Sequence, residues 1–444
     1  MAKTMTRDEV LAAAEREGVR FVRLWFTDIL GFLKSIAISV DELPAALDDG
    51  VGFDGSSVEG MARIEESDVI AMPDPGTFVV LPWHEDTYGK VARMFCDVLE
   101  PTGEHHMADP RWALQRNLAR AAERGLTFFV GPELEYFYFR SGERPEIVDK
   151  GGYFDLTPQD VASDLRRETS FVLEQMGIGV EYSHHEVAPS QHEIDLRYTD
   201  ALTMADGAMT CRFVVKDVAL KHGVHATFMP KPLFGENGSG MHVHQSLFEG
   251  SRNAFFDAAD PYHLSATAKH YIAGLLRHAP ELAAITSQWV NSYKRLVPGY
   301  EAPVYICWGQ KNRSALVRVP RYKPGKEKAT RAELRSPEPA CNPYLAFSVM
   351  LAAGLAGIDG RYELPEAVEK DVYQLDAEEL AELGIAQLPG SLFEAIQCAE
   401  SSELVREALG DHIFDSFIAN KKLEWDRYSR HVSQFELDAY LDIL

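Results

Sequence analysis

The chain has 444 residues, of which 46% are apolar and 25% are charged, and its 68 acidic side chains outnumber its 44 lysines and arginines to give a net charge of −24. This length predicts roughly two or three domains. The negative charge argues against nucleic acid and anionic membrane surfaces as partners. Five scattered cysteines without CxxC spacing argue against a disulfide framework or a zinc site.

The distribution of cysteines and apolar residues predicts a cytoplasmic protein. The cysteine pattern favours a reducing compartment. The N-terminal segment lacks the apolar core of a secretory signal. The longest apolar run, 344–358, is too short to span a bilayer and is typical of a buried helix.

The N-terminal part is predicted to form a small sheet-rich unit. A helix is expected at 7–17, strands at 21–26, 33–40, 79–83 and 91–98, and a glycine- and serine-rich loop at 51–57. Turn residues between 101 and 110 mark the end of this unit. We therefore predict one domain at 1–104 and a second at 105–444.

The second region interleaves helices and strands. Helices are expected at 110–124, 158–176, 200–222, 261–277 and 342–358, and strands at 126–139, 178–197, 224–229, 240–248, 303–309, 313–319 and 330–335. Hairpin-like strand pairs also occur, so a mixed α/β or α+β domain is predicted. From 365 onwards the chain is mostly helical and strongly acidic.

The stretch 237–246, NGSGMHVHQS, combines a flexible loop with a two-faced strand. Its glycines let backbone N–H groups approach an anion or a carboxylate closely. Alternation then places His242, His244 and Ser246 on one face and apolar side chains on the other. This pattern is typical of a strand that presents chemistry. A half-buried strand with its histidines in water is the alternative.

Carboxylates predict a site for a hard cation. Glu133 and Glu135 share one face of an otherwise apolar strand, so their mutual repulsion and lost hydration require a positive charge nearby. Glu186 and Glu193 flank a turn and extend the set, and such oxygen-rich sites favour Mg²⁺ or Mn²⁺ over zinc. An exposed edge strand with solvated acids is the alternative. Three nearby histidines are interpreted as structural partners, namely His184, His185 and His192.

A basic segment follows between 313 and 335. Its cations are Arg313, Arg318, Arg321, Lys323, Lys326, Lys328, Arg331 and Arg335. In so acidic a chain, this clustering favours a site for an anion such as a polyphosphate. Strand alternation predicts that Glu333 lies between Arg331 and Arg335. Metal ligands beside a basic clamp suggest phosphoryl transfer from a metal–nucleotide, although there is no Walker A loop and no protein-kinase motif set.

Seven segments complete the pattern: FDGSS at 53–57, GPELE at 131–135, HEVAP at 185–189, KPLFGENGSGMHVH at 231–244, NSYKRLVPGYEAP at 291–303, NRS at 312–314 and NPYL at 342–345. In this order they closely resemble the glutamine synthetase family, bacterial type I class, in the shorter subclass without the adenylylation-type insertion. The resemblance implies an α+β fold, with an N-terminal β-grasp domain and a catalytic domain built on a curved antiparallel sheet. It also implies a dodecamer of two stacked hexameric rings with active sites between subunits.

The resemblance further implies roles for individual residues. One metal would bind Glu135, Glu186 and Glu193, and the other would bind Glu133, His242 and Glu333. ATP would contact Glu181, Tyr198, His244, Ser246, Arg313, Arg318 and Lys328. Glutamate would contact Asn237, Gly238, Arg295, Glu301 and Arg335. Ammonium would be bound by Asp54 and Ser57 of the adjacent subunit with Tyr153 and Glu186, and the catalytic residues would be Asp54, Glu301 and Arg313.

The implied reaction is ATP-dependent ligation of ammonia to the γ-carboxylate of glutamate through γ-glutamyl phosphate, with two or more Mg²⁺ or Mn²⁺ ions per site. Departures from the family pattern at 305–312 and 318–326 resemble sister enzymes, so a ligase for polyamines or ethanolamine is the alternative, and a non-catalytic scaffold is a remote one. Arg63 matches an arginine used for glutamine feedback. Tyr373 lies where another subclass is adenylylated, but its neighbours depart from that subclass.

Overall fold

The computed structural model describes residues 5–60, 68–82 and 89–444, and two β-sheets organise them. The N-terminal sheet has the order β2-β1-β6-β4-β3, with β5 paired to β6, and it lies beside two helices. The elements are α1 (Arg7–Glu17), β1 (Val19–Thr27), β2 (Leu33–Ser39), α2 (Leu43–Asp49), β3 (Val51–Asp54), β4 (Asp68–Pro73), β5 (Val79–Val80) and β6 (Lys90–Leu99). A capping box between Thr6 and Glu9 starts α1, as expected for this residue pair.

The segment predicted as a glycine- and serine-rich loop begins with a strand, β3, and β4 was not predicted. β3 pairs antiparallel with β4, placing Phe53 opposite Val69. A strand of four residues that contains a glycine is too short for its alternation to stand out from a loop. The strand ends at Asp54, whose carboxylate accepts a hydrogen bond from the backbone N–H of Ser56 at 2.9 Å.

The second sheet is larger and has β7 at its centre. Its main path is β14-β15-β16-β12-β7-β9-β8, with β10 and β11 paired to β7 and β13 paired to β12. The pairs along this path are antiparallel except β14 with β15. The strands are β7 (Thr127–Phe139), β8 (Val180–His185), β9 (Gln191–Leu196), β10 (Thr199–Asp200), β11 (His225–Thr227), β12 (Met241–Glu249), β13 (Arg252–Asn253), β14 (Tyr305–Gly309), β15 (Ala315–Arg318) and β16 (Ala332–Leu334).

Helices cover this sheet and form the C-terminal region. They are α3 (Pro110–Ala122), α4 (Ser163–Gln175), α5 (Ala201–Lys221), α6 (Ala266–Thr286), α7 (Ser292–Arg295), α8 (Pro343–Asp359), α9 (Ala377–Glu382), α10 (Leu392–Glu400), α11 (Glu403–Leu409), α12 (Asp411–Ser429) and α13 (Gln434–Tyr440). The predicted helices corresponding to α1, α3, α5 and α8 are confirmed to within two residues at each end. No helix within the described ranges is long and apolar enough to cross a membrane.

The prediction for α6, residues 261–277, was wrong at both ends. Ser265 caps the helix by accepting a hydrogen bond from the N–H of Ala268 at 3.1 Å, which delays its start. The helix then continues through Pro280, because close packing against α8 holds it in place. At that contact a Cβ on Gly357 would lie 2.1 Å from the carbonyl oxygen of His270, so the two helix backbones can approach only without a side chain.

A buried ionic cluster, the Arg111 clasp, joins the N-terminal sheet to the helices of the second region. Arg111, at the start of α3, is 3% exposed. Its guanidinium donates to Asp97 at 2.5 Å, Asp74 at 2.7 Å and Asp206 at 3.2 Å. Asp74 and Asp97 belong to the N-terminal unit and Asp206 belongs to α5, so the clasp fixes one unit against the other.

Candidate active site

Strand pairing around β7 brings the predicted carboxylates close together. Glu133 lies opposite His242 of β12 on one side and opposite Asp195 of β9 on the other. Glu135 lies opposite Glu193. Because side chains two residues apart leave a strand on the same side, these five groups share one face of the sheet.

The neighbouring strands add a buried carboxylate between two arginines. Glu333 of β16 lies opposite His244 on one side and opposite Arg318 on the other. Arg318 donates to Glu333 Oε2 at 2.8 Å, and Arg335 donates to Oε1 at 2.6 Å. Burial raises the pKa of Glu333, but the electrostatic effects of Arg335, His244 and His242 together outweigh it and hold the pKa at about 2.

The two arginines predicted to share a face with Glu333 both lie beside it but contact different residues. Arg335 contacts Glu333 directly, whereas Arg331, the residue before β16, contacts the histidine that lies opposite Glu333. The Nε–H of Arg331 donates to Nδ1 of His244 at 3.0 Å. This contact leaves the proton of His244 on Nε2.

Glu133 lies between the two histidines of β12. Nδ1 of His242 is 2.9 Å from Glu133 Oε2, and Nε2 of His244 is 2.6 Å from Oε1. Burial raises the pKa of Glu133, but hydrogen bonds from both imidazoles hold it far below its usual range. Burial and the charge of Arg335 lower the pKa of His242, which favours the neutral imidazole that binds metals.

The donor atoms form two groups that suit a divalent cation. In the first, ligand atoms of Glu133, His242 and Glu333 lie within 4.8 Å of one another. In the second, the same holds for His184, Glu186 and Glu193, with His184 Nε2 lying 3.1 Å from Glu193 Oε1. His184, interpreted from the sequence as a structural partner, thus has a donor atom in the second group. Its register opposite Glu193 was the missing signal.

Glu135 borders the second group but has other contacts. Its Oε2 accepts hydrogen bonds from Gly240 N–H at 2.9 Å and Gln191 Nε2 at 3.0 Å. Burial and the charge of Glu186 raise the pKa of Glu135 to about 8. Burial likewise raises the pKa of Glu186 to about 7, and raises the pKa of Glu193. These buried carboxyl groups have raised pKa values because nearby positive charge does not compensate for their burial. A divalent cation would supply the missing charge, and oxygen-rich donors fit Mg²⁺ or Mn²⁺.

A third group contains residues of metal-binding types, but an ion pair between His185 and Asp149 explains it better. Nδ1 of His185 is 2.7 Å from the carbonyl oxygen of Glu186, and its Nε2 is 2.9 Å from Asp149 Oδ1. Both nitrogens therefore donate. Burial lowers the pKa of His185, but hydrogen bonds to Asp149 and to the backbone outweigh it and raise the pKa. A charged imidazole with both nitrogens engaged has no lone pair for a metal.

Two adjoining cavities open on this face. The carboxylate cavity has a volume of about 460 Å³, and its predicted lining residues are Glu133, Glu135, Tyr153, Glu186, Glu193, Asn237, Gly238, His242, Arg295, Glu301, Arg313, Arg318 and Arg335. The His244 cavity has a volume of about 200 Å³, and its predicted lining residues are Glu133, Glu181, Tyr198, His244, Ser246 and Lys328. Sequence reasoning missed Tyr182, which lines both cavities, and Asp195, whose alternation with Glu193 could have found it.

A basic cleft lies beside both cavities. It includes Arg313 and Arg318 from the rim of the carboxylate cavity and Arg331 from the His244 cavity. Further along the cleft lie Lys311, Arg321, Lys323 and Lys326. The basic segment predicted from the sequence thus faces both cavities, as an anion site requires.

Two predicted residues lie away from both cavities. Asp54 and Ser57 are exposed on the N-terminal unit, and neither lines the carboxylate cavity or the His244 cavity. Arg63 falls outside the described residues. Glu333 lies in neither lining because it is fully buried beneath Arg318 and Arg335.

Together, the paired carboxylate–histidine groups and the basic cleft define an enzyme that binds divalent cations and a phosphate-bearing substrate. The chain belongs to the glutamine synthetase family. The family model "Glutamine synthetase, catalytic domain" matches residues 107–440, and "Glutamine synthetase, beta-Grasp domain" matches residues 18–101.

Individual relatives agree over the whole chain. The glutamine synthetase of Mycolicibacterium smegmatis is 54% identical over 98% of this chain and 99% of its own length. That of Thermotoga maritima is 49% identical over 98% of this chain and 100% of its own length. A solved structure, a GmaS/ADP complex, has a TM-score of 0.89 and 31% identity, covering 98% of this chain and 99% of that chain.

These similarities confirm the family, the fold class and the activity predicted from the sequence. The chain is an α+β protein with a β-grasp domain and a catalytic domain, and it catalyses the ATP-dependent formation of glutamine from glutamate and ammonia. The family uses ATP and a divalent metal. Nothing in these similarities favours a larger amine as the acceptor or a non-catalytic scaffold.

Proposed function

We propose that two divalent cations, Mg²⁺ or Mn²⁺, bind in the carboxylate cavity during glutamine formation. Glu133, His242 and Glu333 would hold one, and Glu135, Glu186 and Glu193 would hold the other. The observation that carries this proposal is the pair of ligand groups, Glu133 with His242 and Glu333, and Glu186 with Glu193 and His184, each with donor atoms within 4.8 Å. Glu135 lines the same cavity beside the second group. When bound, the cations would neutralise charge on the transferred phosphoryl group.

We propose that the His244 cavity binds ATP through Glu181, Tyr198, His244, Ser246 and Lys328. Tyr198 is 48% exposed and packs edge-on against Phe129, so it offers an aromatic surface to a base. The triphosphate would then extend towards Arg313 and Arg318, which line both the basic cleft and the carboxylate cavity. Guanidinium groups there would stabilise the charge that develops during transfer.

Glutamate is proposed to bind between Asn237, Gly238, Arg295, Glu301 and Arg335. Arg295 is well placed for this role because its guanidinium is held by three backbone carbonyls, those of Ser336, Pro337 and Arg335, at 2.7, 3.1 and 3.2 Å. A Cβ on Gly238 would lie 2.3 Å from the carbonyl oxygen of Pro230 and 3.0 Å from Arg295 Cγ. Only glycine allows that close approach.

The proposed chemistry activates a poor electrophile. Ammonia cannot expel oxide from the γ-carboxylate, so the γ-phosphoryl group of ATP is first transferred to it, and ammonia then displaces phosphate from γ-glutamyl phosphate. Glu301 would cover this intermediate, exclude water and accept a proton. Asp54, with Ser57, would take a proton from ammonium beside Tyr153 and Glu186.

Asp54 and Ser57 would act from an adjacent subunit, because they line neither cavity of their own chain. This supports the proposal of a ring with shared sites, built as a dodecamer of two stacked hexamers in the cytoplasm. We place the domain boundary between residues 104 and 105, in the turns that connect β6 to α3.

The acceptor can be tested directly by measuring phosphate release with glutamate, ATP and Mg²⁺ while the amine is varied. Ammonium is expected to support turnover, whereas putrescine, spermidine and ethanolamine are not. Turnover with one of the larger amines and none with ammonium would overturn the proposed acceptor site.

Shared sites predict complementation between inactive variants. Asp54→Asn and Glu301→Gln change exposed side chains, so both variants should fold and each should form little glutamine alone. In co-expressed, doubly tagged mixed oligomers, about a quarter of the sites should combine two intact residues and recover activity. If mixed oligomers form no more glutamine than either parent, Asp54 does not serve a neighbouring subunit.

A further inference from the structure

The Glu301 loop, residues 296–304 between α7 and β14, crosses the rim of the carboxylate cavity without helix or strand. Glu301 is exposed and has a φ of 56°. This left-handed conformation is costly for a residue with a side chain, so contacts elsewhere must hold it. Asn237 Nδ2 donates to Glu301 Oε2, but at 3.4 Å this contact is long.

Lys231 makes the first firm contact with the loop. Its ammonium group lies 3.9 Å from the ring centroid of Tyr300, the residue before Glu301, in a cation–π contact. The same group donates to the backbone carbonyl of Glu236. The backbone of Lys231 is fixed by Asn291, which accepts from its N–H at 2.7 Å and donates to its carbonyl at 3.1 Å. Lys231 therefore holds Tyr300 from an anchored position.

Tyr373 makes the second contact, on the other side of Glu301. Its hydroxyl donates to the carbonyl oxygen of Ala302 at 2.7 Å. The ring is half-buried, and burial raises the pKa of Tyr373 to about 12, so the hydroxyl stays protonated and able to donate. Lys231 and Tyr373 thus contact the two residues that flank Glu301.

The base of Tyr373 is tied to the loop that carries Arg313. Val372, fully buried, donates its backbone N–H to Ser314 Oγ at 3.0 Å. Asn312 Nδ2 donates to the carbonyl oxygens of Val368 and Lys370 at 2.9 and 2.6 Å. The two neighbours of Arg313 therefore hold the segment that positions Tyr373.

We propose that Lys231 and Tyr373 are positioning residues that hold the Glu301 loop closed over the carboxylate cavity, with Tyr373 linking closure to the Arg313 loop. This inference rests on the proposed role of Glu301 as a cover over γ-glutamyl phosphate. Losing either contact lets the loop open while the acyl phosphate is present. Water then attacks in place of ammonia, and ATP is consumed without forming glutamine.

The test measures phosphate and glutamine released by the same enzyme under saturating ATP, glutamate, ammonium and Mg²⁺. In the wild type the ratio of the two products should be close to one. Tyr373→Phe and Lys231→Met should each raise the ratio by increasing the excess of phosphate over glutamine about fivefold, the factor expected when one contact is lost from the closed state. Lys231→Arg keeps a cation over Tyr300 and should restore a ratio close to that of the wild type. A lower kcat at an unchanged ratio in both Tyr373→Phe and Lys231→Met would overturn the proposal.

Two further variants complete the design. Tyr362→Phe is the matched control, because Tyr362 packs against Arg277 and His278 and lines neither cavity. It should leave the ratio unchanged. Glu301→Ala separates the two levels of inference. If Glu301→Ala raises the ratio and the Lys231 and Tyr373 variants do not, the proposed role of Lys231 and Tyr373 is wrong, and the proposed role of Glu301 is retained. If it leaves the ratio at one, the proposed cover itself is wrong.

Discussion

Replacing Glu133 with glutamine is expected to lower kcat by on the order of 10³-fold, comparable to removing a group that stabilises charge in the transition state. One carboxylate serves both histidines of β12, with contacts of 2.9 Å to His242 and 2.6 Å to His244. A glutamine has the same shape but only one acceptor oxygen, and its amide group would point donor hydrogens at the other imidazole. Calorimetric titration with Mn²⁺ should show one ion fewer per subunit, and the KM for ATP should rise.

Variants of the two histidines separate these effects. His242→Ala should lose the same ion as Glu133→Gln, because His242 belongs to the first ligand group. His244→Ala should keep both ions and mainly weaken ATP binding, because His244 lines the second cavity. Equal loss of Mn²⁺ in both histidine variants would contradict the separation of the metal and nucleotide roles.

The metal-free protein is expected to lose thermal stability as the pH rises from about 6 to about 8, and Mg²⁺ or Mn²⁺ should restore more of it at the higher pH. Burial raises the pKa of Glu135 to about 8 and the pKa of Glu186 to about 7. A glutamate in the unfolded chain titrates at about 4.3. Between these values the folded state binds protons that the unfolded state has lost, so the free energy of unfolding decreases as the pH increases.

Metal binding should reverse this trend, because a divalent cation replaces the protons as the compensating charge. Scanning calorimetry after chelation, with and without added Mg²⁺, gives the metal-induced rise in Tm at each pH. Glu135→Gln removes one of the titrating groups and should reduce the difference between the two pH values. His185 also has a raised pKa, but its pair with Asp149 binds no proposed metal. The metal-induced rise in Tm therefore reports on the carboxylates and not on His185. An equal rise in Tm at both pH values would refute this account.

Local patterns in the sequence were sufficient for side chains that share a strand. Glu133 and Glu135 fall on one face because alternation is a property of β7 alone, and the same holds for His242 and His244 in β12. The buried helix α8 was also predictable, since a long apolar run needs no partner to be recognised. These elements carry much of the candidate site.

What the sequence could not supply is the register between strands. Glu333 meets Arg318 because β15 and β16 pair with those residues opposite, and nothing within either segment specifies that alignment. The same is true of His184, which meets Glu193 across β8 and β9. Arg331 lies beside Glu333, but its contact with His244 rather than with Glu333 also depends on the register of β12 and β16.

In the proposed ring, the Arg111 clasp determines which subunit loses activity when one chain carries a variant. It fixes the N-terminal unit, which carries Asp54, against the helices of the same chain through Asp74, Asp97 and Asp206. If Asp54 completes a neighbour's site, a chain with a weakened clasp retains its own cavity but disrupts the active site of the neighbouring subunit. We therefore expect mixed oligomers of Arg111→Ala and wild-type chains to lose activity in the wild-type subunits that neighbour a variant chain, so that the defect appears in subunits whose own sequence is intact.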